Sequence, residues 1–303
     1  GIGDEIFKNT GTRMFLIEKS DSKKCLPARI RNMNKYSSGP VMIIAGSGRM
    51  PKAAALCANS AMRAGCGSVF LAFPASQKST ILNMLDSAVV IPYDDYGKEI
   101  LTAENLHEFK GIISKCNTLL IGPGLGRDEN TIEAVIRIIE ENKNKRIIID
   151  ADALFAVASY GFENLDLRNC ILTPHMGEFI RLTGKEALVI KKRIFETASD
   201  FAQKSKAVLV LKGAPTIIAS PEGKIFVNTT GNSGLAKFGS GDVLAGIIAG
   251  FSGSSENLLD SVICGVYLHG LCADIMKNEL TEYAVSPDDL IKSFYKAILE
   301  INE

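Results

Sequence analysis

The chain has 303 residues, enough to bury a sizeable core, and its 34 basic and 34 acidic side chains cancel, which disfavours a polyanion or a charged membrane surface as main partner. Seven cysteines, at 25, 57, 66, 116, 170, 264 and 272, show no C-x-x-C spacing and make an odd total, which fits reduced, buried thiols rather than disulfides or zinc ligands. No unbroken apolar run reaches the roughly 18 to 20 residues that span a bilayer and no signal pattern opens the chain, so a soluble, cytoplasmic protein that binds no nucleic acid is expected.

Short apolar runs alternate with helix-period stretches. Runs ending in loop signals fall at VMIIAG (41–46), SVFLAF (68–73), TLLIG (118–122), RIIIDAD (146–152), CILTP (170–174) and AVLVLKG (207–213), each the length of a strand buried on both faces. Among the intervening helices, DENTIEAVIRIIEEN (128–142) puts Ile132, Val135, Ile136 and Ile139 on one face, with Asp128 placed as N-cap. The stretch TIIASPEGKIFVNT (216–229) breaks this rhythm: two β-rich runs around Pro-Glu-Gly predict a hairpin, antiparallel at one end of the sheet. From Gly241 onward the chain reads as helical. This βαβ succession predicts an α/β fold with one mostly parallel central sheet and helices on both faces. With no internal repeat or long polar linker, one compact domain is expected.

Open parallel sheets bind ligands beyond the carboxyl ends of their strands, so the segments that follow each run carry the functional information. After the first run, AGSGRMPKAAA (45–55) is a small-residue turn into a helix, which lets backbone N–H groups approach an anion and equally serves tight packing. IGPGLGRDEN (121–130) has three glycines and a proline in five residues, a backbone path that suits close ligand contact or a tight connection. Asp150 and Asp152, in IIIDADAL (147–154), either cap the next helix or hold Mg²⁺ through water. In LTPHMGEFIRLTG (172–184) a helix-cap role accounts for Glu178 but not for His175, which is expected to face a ligand. His107 and His269 lie in ordinary helical contexts.

Lys212 and Gly213 close the last parallel run in LKGAPTII (211–218), where a lysine either reaches water or meets an anion, and the strand-end position favours the anion. Gly231, Gly234, Gly239 and Gly241 then lead into VLAGIIAGF, a buried helix whose free N–H groups suit a phosphate. Asp242 stands in its first turn. A carboxylate there either complements the helix dipole, worth about 0.3–1 kcal/mol, or acts as a base for phosphoryl transfer to a hydroxyl.

In order, G-P-G-L-G, D-A-D-A-L, L-T-P-H-x-G-E, L-K-G-A-x-T and G-N-x-G-L-A-x-x-G-x-G-D-V-L-x-G resemble the ADP/ATP-dependent NAD(P)H-hydrate dehydratase family of the ribokinase-like superfamily. The likeness runs from about residue 26 to the SPDDLI segment near the C-terminus. G-x-G-D alone is shared with many ribokinase-like kinases, whereas T-P-H-M-G-E together with G-P-G-L-G discriminates. The resemblance implies a ribokinase-like three-layer sandwich over 26–303, preceded by an N-terminal extension at 1–25, in a standalone form without the epimerase domain of bifunctional relatives. It implies that Asp242 is catalytic and also contacts the substrate, together with Ala53, Gly124 and His175. Lys212, Gly213, Ala214, Pro215, Thr216 and Gly241 match the nucleotide-binding positions. Lys237, Phe238 and Pro215 depart from the commonest pattern of the family.

The activity so implied is ADP-dependent dehydration of the S-epimers of hydrated NADH and NADPH (NADHX and NADPHX), with release of AMP and phosphate. ADP or ATP would be the co-substrate with Mg²⁺, whose ligands stay unassigned, and the assembly a homotetramer. Two alternatives remain open on the residues: a ribokinase-like ATP-dependent kinase of a vitamin precursor or sugar, and a non-catalytic nucleotide sensor on the same fold.

Overall fold

A computed structural model describes residues 13–35 and 38–303. Residues 1–12 of the expected extension, and Tyr36 and Ser37 near the start of the family likeness, lie outside the described residues. Ten strands form one sheet: β1 (Met14–Leu16), β2 (Pro40–Ile44), β3 (Ser68–Pro74), β4 (Val89–Tyr93), β5 (Thr118–Ile121), β6 (Arg146–Ile149), β7 (Cys170–Leu172), β8 (Val208–Leu211), β9 (Thr216–Ala219) and β10 (Ile225–Asn228). Their order is β1-β10-β9-β8-β7-β6-β5-β2-β3-β4. From β8 to β4 every pairing is parallel, so all six apolar runs are parallel strands. β9 and β10 form the expected hairpin, antiparallel to each other, with β9 antiparallel to β8.

Two strands have no clear counterpart in the sequence pattern. β4 carries Pro92 and an exposed Val89, features of an edge rather than of a buried run. β1, whose three side chains are all exposed, pairs in parallel with β10 at the other edge. The helix Lys19–Cys25 that follows β1 packs on the helix Leu258–Ala284, with Ser22 Oγ 3.8 Å from Cys264 Sγ. Residues 13–25 of the expected extension therefore join the sheet and its helical cover.

Alternation along each parallel strand divides the core in two. Val41 and Ile43 face the helices Pro51–Arg63, Ser240–Ser254, Leu258–Ala284 and Pro287–Asn302. Met42 and Ile44 face the other layer, which includes Glu129–Glu141, Asp152–Tyr160, Met176–Thr183 and Ile194–Ser205. The result is the three-layer α/β sandwich. Asp128 caps its helix as expected, accepting from the Asn130 N–H, and Val135, Ile136 and Ile139 are buried. All seven cysteines are free, six of them buried.

By length and composition the helix Leu258–Ala284 could cross a membrane, but 61% of its most apolar 18-residue window is buried, as befits a core helix. The helices Pro51–Arg63 and Ser240–Ser254 make an unusually close pair. A Cβ on Gly246 would stand 2.0 Å from Ser60 Oγ and 2.4 Å from the Cys57 carbonyl oxygen, so a side chain there would force the two backbones apart. β2 lies between β5 and β3, and successive strands run outward from it on both sides. The crevice of the sheet thus opens between β2 and β5, at their carboxyl ends.

Candidate active site

The turns after β2 and β5 meet at that crevice. The Gly46 N–H donates to the Pro123 carbonyl at 2.8 Å and locks one turn to the other. Gly124, at φ +67°, has no room for a side chain: a Cβ would lie 2.9 Å from both Ala53 Cβ and the Met50 carbonyl oxygen. Ala53 is itself buried at the start of its helix. The two positions matched to substrate contact from the sequence are thus neighbours, and both are stripped of bulk.

Across the sheet, the ends of β6, β7 and β8 converge on one ammonium group. Lys212 Nζ donates to Asp150 Oδ1 at 2.8 Å, and Thr173 Oγ1 donates to the same oxygen at 2.7 Å. Asp150 is almost fully buried. Burial opposes the charge on Lys212, but Asp150, Glu178 and Asp242 outweigh it and hold the lysine pKa above its ordinary value. Neither Asp150 nor Asp152 caps the following helix, contrary to the commoner use expected of them. The cap position belongs to Ala151, and Asp152 accepts from the Gly126 N–H and from Arg127 Nε, each at 2.9 Å.

His175 has a structural role that the sequence reading credited to Glu178 alone. It is the N-cap of the helix Met176–Thr183: Nδ1 accepts from the Gly177 N–H at 2.9 Å and the Glu178 N–H at 3.3 Å. Glu178 Oε2 accepts from the His175 N–H at 2.8 Å, which completes a reciprocal capping box. Since Nδ1 accepts, the ring proton is on Nε2, and the side chain is 61% exposed. A cap and a ligand-facing donor are therefore compatible in one residue. The backbone ties this segment to Lys212, whose N–H donates to the Pro174 carbonyl at 2.8 Å.

The helix Ser240–Ser254 begins beside this cluster, after Gly239 in the left-handed conformation. A Cβ on Gly241 would lie 3.4 Å from Lys212 Nζ, so the lysine and the helix start face one space. Asp242 is half-buried, and no described residue donates a hydrogen bond to its carboxylate. Burial, reinforced by Asp150, pushes its pKa up to about 6, while Lys212 pulls the other way. Close packing of the helix pair brings Asp242 near the Ala53 turn: Cys57 Sγ lies 3.4 Å from the Asp242 carbonyl oxygen. Gly213, Ala214 and Pro215 are exposed in the loop between β8 and β9, and Thr216 Oγ1 donates to the Gly213 carbonyl at 3.0 Å. The Lys237 ammonium bonds the Tyr283 and Val285 carbonyls, and Phe238 is exposed.

A family model described as NAD(P)H-hydrate dehydratase matches residues 41–296, a span that contains all of these segments. The chain belongs to the NAD(P)H-hydrate dehydratase family. The Bacillus subtilis protein named ADP-dependent (S)-NAD(P)H-hydrate dehydratase is 34% identical over 265 residues, 88% of this chain and 91% of its own. A crystal structure of an ADP/ATP-dependent NAD(P)H-hydrate dehydratase from Bacillus subtilis, co-crystallised with ATP and Mg²⁺, superposes with a TM-score of 0.78 at 29% identity, covering 95% of this chain and 98% of that one. For the fold alone, a ribokinase-like superfamily protein from Enterococcus faecalis gives a TM-score of 0.84 at 23% identity, over 96% and 97% of the two chains. The chain spans about half the length of the bifunctional NAD(P)H-hydrate repair enzymes that it also matches.

Two residues of this family member's site escaped the sequence reading. His269, assigned to an ordinary helical context, is buried with Nε2 3.4 Å from Ser240 Oγ, and burial lowers its pKa to about 4. It braces the helix start as a neutral ring. Asp274 accepts from the Gly231 N–H at 2.7 Å and from Asn232 Nδ2 at 3.0 Å, which fixes the G-N-x-G segment ahead of Asp242. The signal for Asp274 was a lone acid inside the apolar stretch GVYLHGLCADIM, where a carboxylate needs a partner.

Proposed function

We propose that the chain is an ADP-dependent hydro-lyase that returns S-NADHX and S-NADPHX to NADH and NADPH, releasing AMP and phosphate. The observation that carries this reading is Asp242: a carboxylate with raised proton affinity and, among the described residues, no hydrogen-bond donor, at a helix start that faces Lys212 and packs on the helix of Ala53. In the hydrated nicotinamide the hydroxyl is on C6 beside ring N1, and hydroxide is a poor leaving group. Its oxygen attacks the terminal phosphorus of ADP while Asp242 takes the hydroxyl proton; a C6–O–P linkage forms and the bond to AMP breaks. Phosphate then departs with push from the N1 lone pair, and loss of the C5 proton restores the dihydropyridine.

A pKa of about 6 leaves Asp242 mostly ionised at neutral pH yet basic enough to accept a proton. Lys212 and the N–H groups from Gly239 to Gly241 serve the phosphates of the donor, with Gly213 to Thr216 along its flank. Ala53, Gly124 and the His175 Nε2–H serve the hydrated ring. Asp242 and Asp150, carboxylates at the strand-end cluster, are the residues that would help hold Mg²⁺ beside the phosphates of the donor. When bound, Mg²⁺ neutralises charge on the transferring phosphate. A cytoplasmic homotetramer is the form we propose, for which light scattering of the purified chain is the test.

The activity test incubates S-NADHX with ADP and Mg²⁺ and follows the near-ultraviolet NADH band. Wild type should regain the band and Asp242→Asn should not. Wild-type-like turnover by Asp242→Asn would refute the assignment, and a product that retains phosphate would indicate a kinase.

A further inference from the structure

A second concentration of charge stands at the same end of the sheet, away from Lys212. Arg127 ends the glycine turn after β5, Phe155 lies in the first turn of the helix after β6, and Arg181 is in the helix after β7. The Arg127 guanidinium carbon is 4.9 Å from the Phe155 ring centroid, and that of Arg181 is 5.2 Å from it. Three successive strand-end segments thus bring two cations to one ring. Asp152 fixes Arg127 to the turn through its paired contacts with Arg127 Nε and the Gly126 N–H. Arg181 has no carboxylate partner among the described residues, and it is exposed.

Like charges collected on one ring with one carboxylate between them leave a net positive site. Contact with the ring uses no N–H donor, so Arg127 has one N–H engaged and Arg181 none, and the rest can fork onto phosphate oxygens. From these observations we infer that Arg127 and Arg181 form a seat for phosphate groups of the hydrated dinucleotide itself, separate from the donor seat at Lys212 and Gly241.

This inference rests on the proposed function. A hydrated dinucleotide with its reactive ring at Asp242, Ala53 and Gly124 carries its diphosphate one ribose away. The chain from Gly124 to Arg127 leads from the ring position to the arginines in three residues. β5, which leads to Arg127, is three strands from β8, which leads to Lys212, a separation of about 14 Å at the usual strand spacing. One lysine beside three carboxylates cannot serve both sets of phosphates. The shared chemistry is a phosphate ester, either the diphosphate of both hydrates or the additional 2′-phosphate of NADPHX.

The test compares wild type, Arg181→Gln and Arg181→Lys in steady state with S-NADHX and with S-NADPHX, varying the hydrate at saturating ADP and then ADP at saturating hydrate. Arg181→Gln should raise the KM for hydrate about tenfold, the size of one lost charge-assisted contact, with kcat and the KM for ADP within about twofold. Arg181→Lys should recover most of that loss. The decline of kcat/KM with added salt should be shallower in Arg181→Gln than in wild type. An equal loss on both hydrates assigns the diphosphate, and a loss confined to NADPHX assigns the 2′-phosphate. An unchanged KM for both hydrates, or a parallel rise in the KM for ADP, overturns this inference while leaving the proposed function intact. A wild-type chain that dehydrates neither hydrate overturns both.

Discussion

Replacing Asp242 by asparagine should abolish turnover and at the same time stabilise the fold, and the second effect should depend on pH. Asp242 rises from an ordinary 3.8 to about 6 on folding, because burial and Asp150 disfavour its charged form. A carboxyl with a folded pKa above its unfolded value binds more protons when folded. Its contribution to stability is therefore greatest at low pH, declines as the pH rises from about 4 to about 6, and is constant beyond. The shift corresponds to about 3 kcal/mol of destabilisation at pH 8. Asparagine is close in shape and cannot ionise. At pH 8 Asp242→Asn should melt about 5 °C above wild type for a chain of this length, and at pH 4 the two should nearly coincide. Differential scanning calorimetry at both pH values, with hydrate turnover measured alongside, reads both effects. Loss of the base should lower kcat by about 10²–10⁴, and in wild type kcat/KM should fall as the pH drops through about 6. Equal melting temperatures at pH 8, or a gain that persists unchanged at pH 4, would refute the account of Asp242 as a charge held at a cost.

Three further substitutions separate fold from site. Lys212→Met strands the buried Asp150 carboxylate without its cation and should cost about 3–5 kcal/mol in urea denaturation; adding Asp150→Asn should restore most stability but not ADP affinity measured by calorimetry. His175→Ala should lose about 1 kcal/mol through the broken capping box and raise the KM for hydrate, whereas His175→Asn should keep the cap yet share the raised KM. A KM restored by asparagine would mean that His175 acts only on the helix. Gly246→Val drives a side chain into Ser60 and the Cys57 carbonyl, and should lower stability by about 3 kcal/mol or more, with turnover lost even at temperatures where circular dichroism shows the fold retained.

How far the sequence could be read depended on what each residue does locally. The six inner parallel strands were legible because burial on both faces leaves unbroken apolar runs, unlike edge strand β4 with its Pro92 and exposed Val89, and the hairpin because Pro-Glu-Gly sits between two β-rich runs. β1 was not, since a three-residue strand with every side chain exposed carries no burial pattern. Lys212 and the glycine turns stood out as polar or side-chain-free positions at strand ends, where an open sheet places its ligands, and Asp242 as the acid at a glycine-led helix start. Their partners did not. Lys212 and Asp150 are 62 residues apart, and only the order β8-β7-β6 brings them within 2.8 Å. The cap at His175 was missed for a different reason: the histidine ring is an uncommon N-cap, so the helix-cap role was credited to Glu178 alone although Nδ1 carries half of it.

The distribution of partners around Lys212 explains how three acids gather about a single lysine where the proposed function needs a phosphate bound. Asp150 takes the ammonium at 2.8 Å together with the Thr173 hydroxyl, and Glu178 is committed to the His175 N–H. Asp242 alone is left without a fixed donor. Had Lys212 bonded Asp242 directly, the carboxyl would have been pulled below its ordinary value and made a weaker base. With Asp150 taking the direct bond, Lys212 still supplies positive charge to the space beside Gly241, while burial, reinforced by the negative charge of Asp150, keeps the proton affinity of Asp242 high. On the proposed function, the same lysine would attract an anion without quenching the base next to it, with burial and Asp150 together holding the proton affinity of Asp242 up.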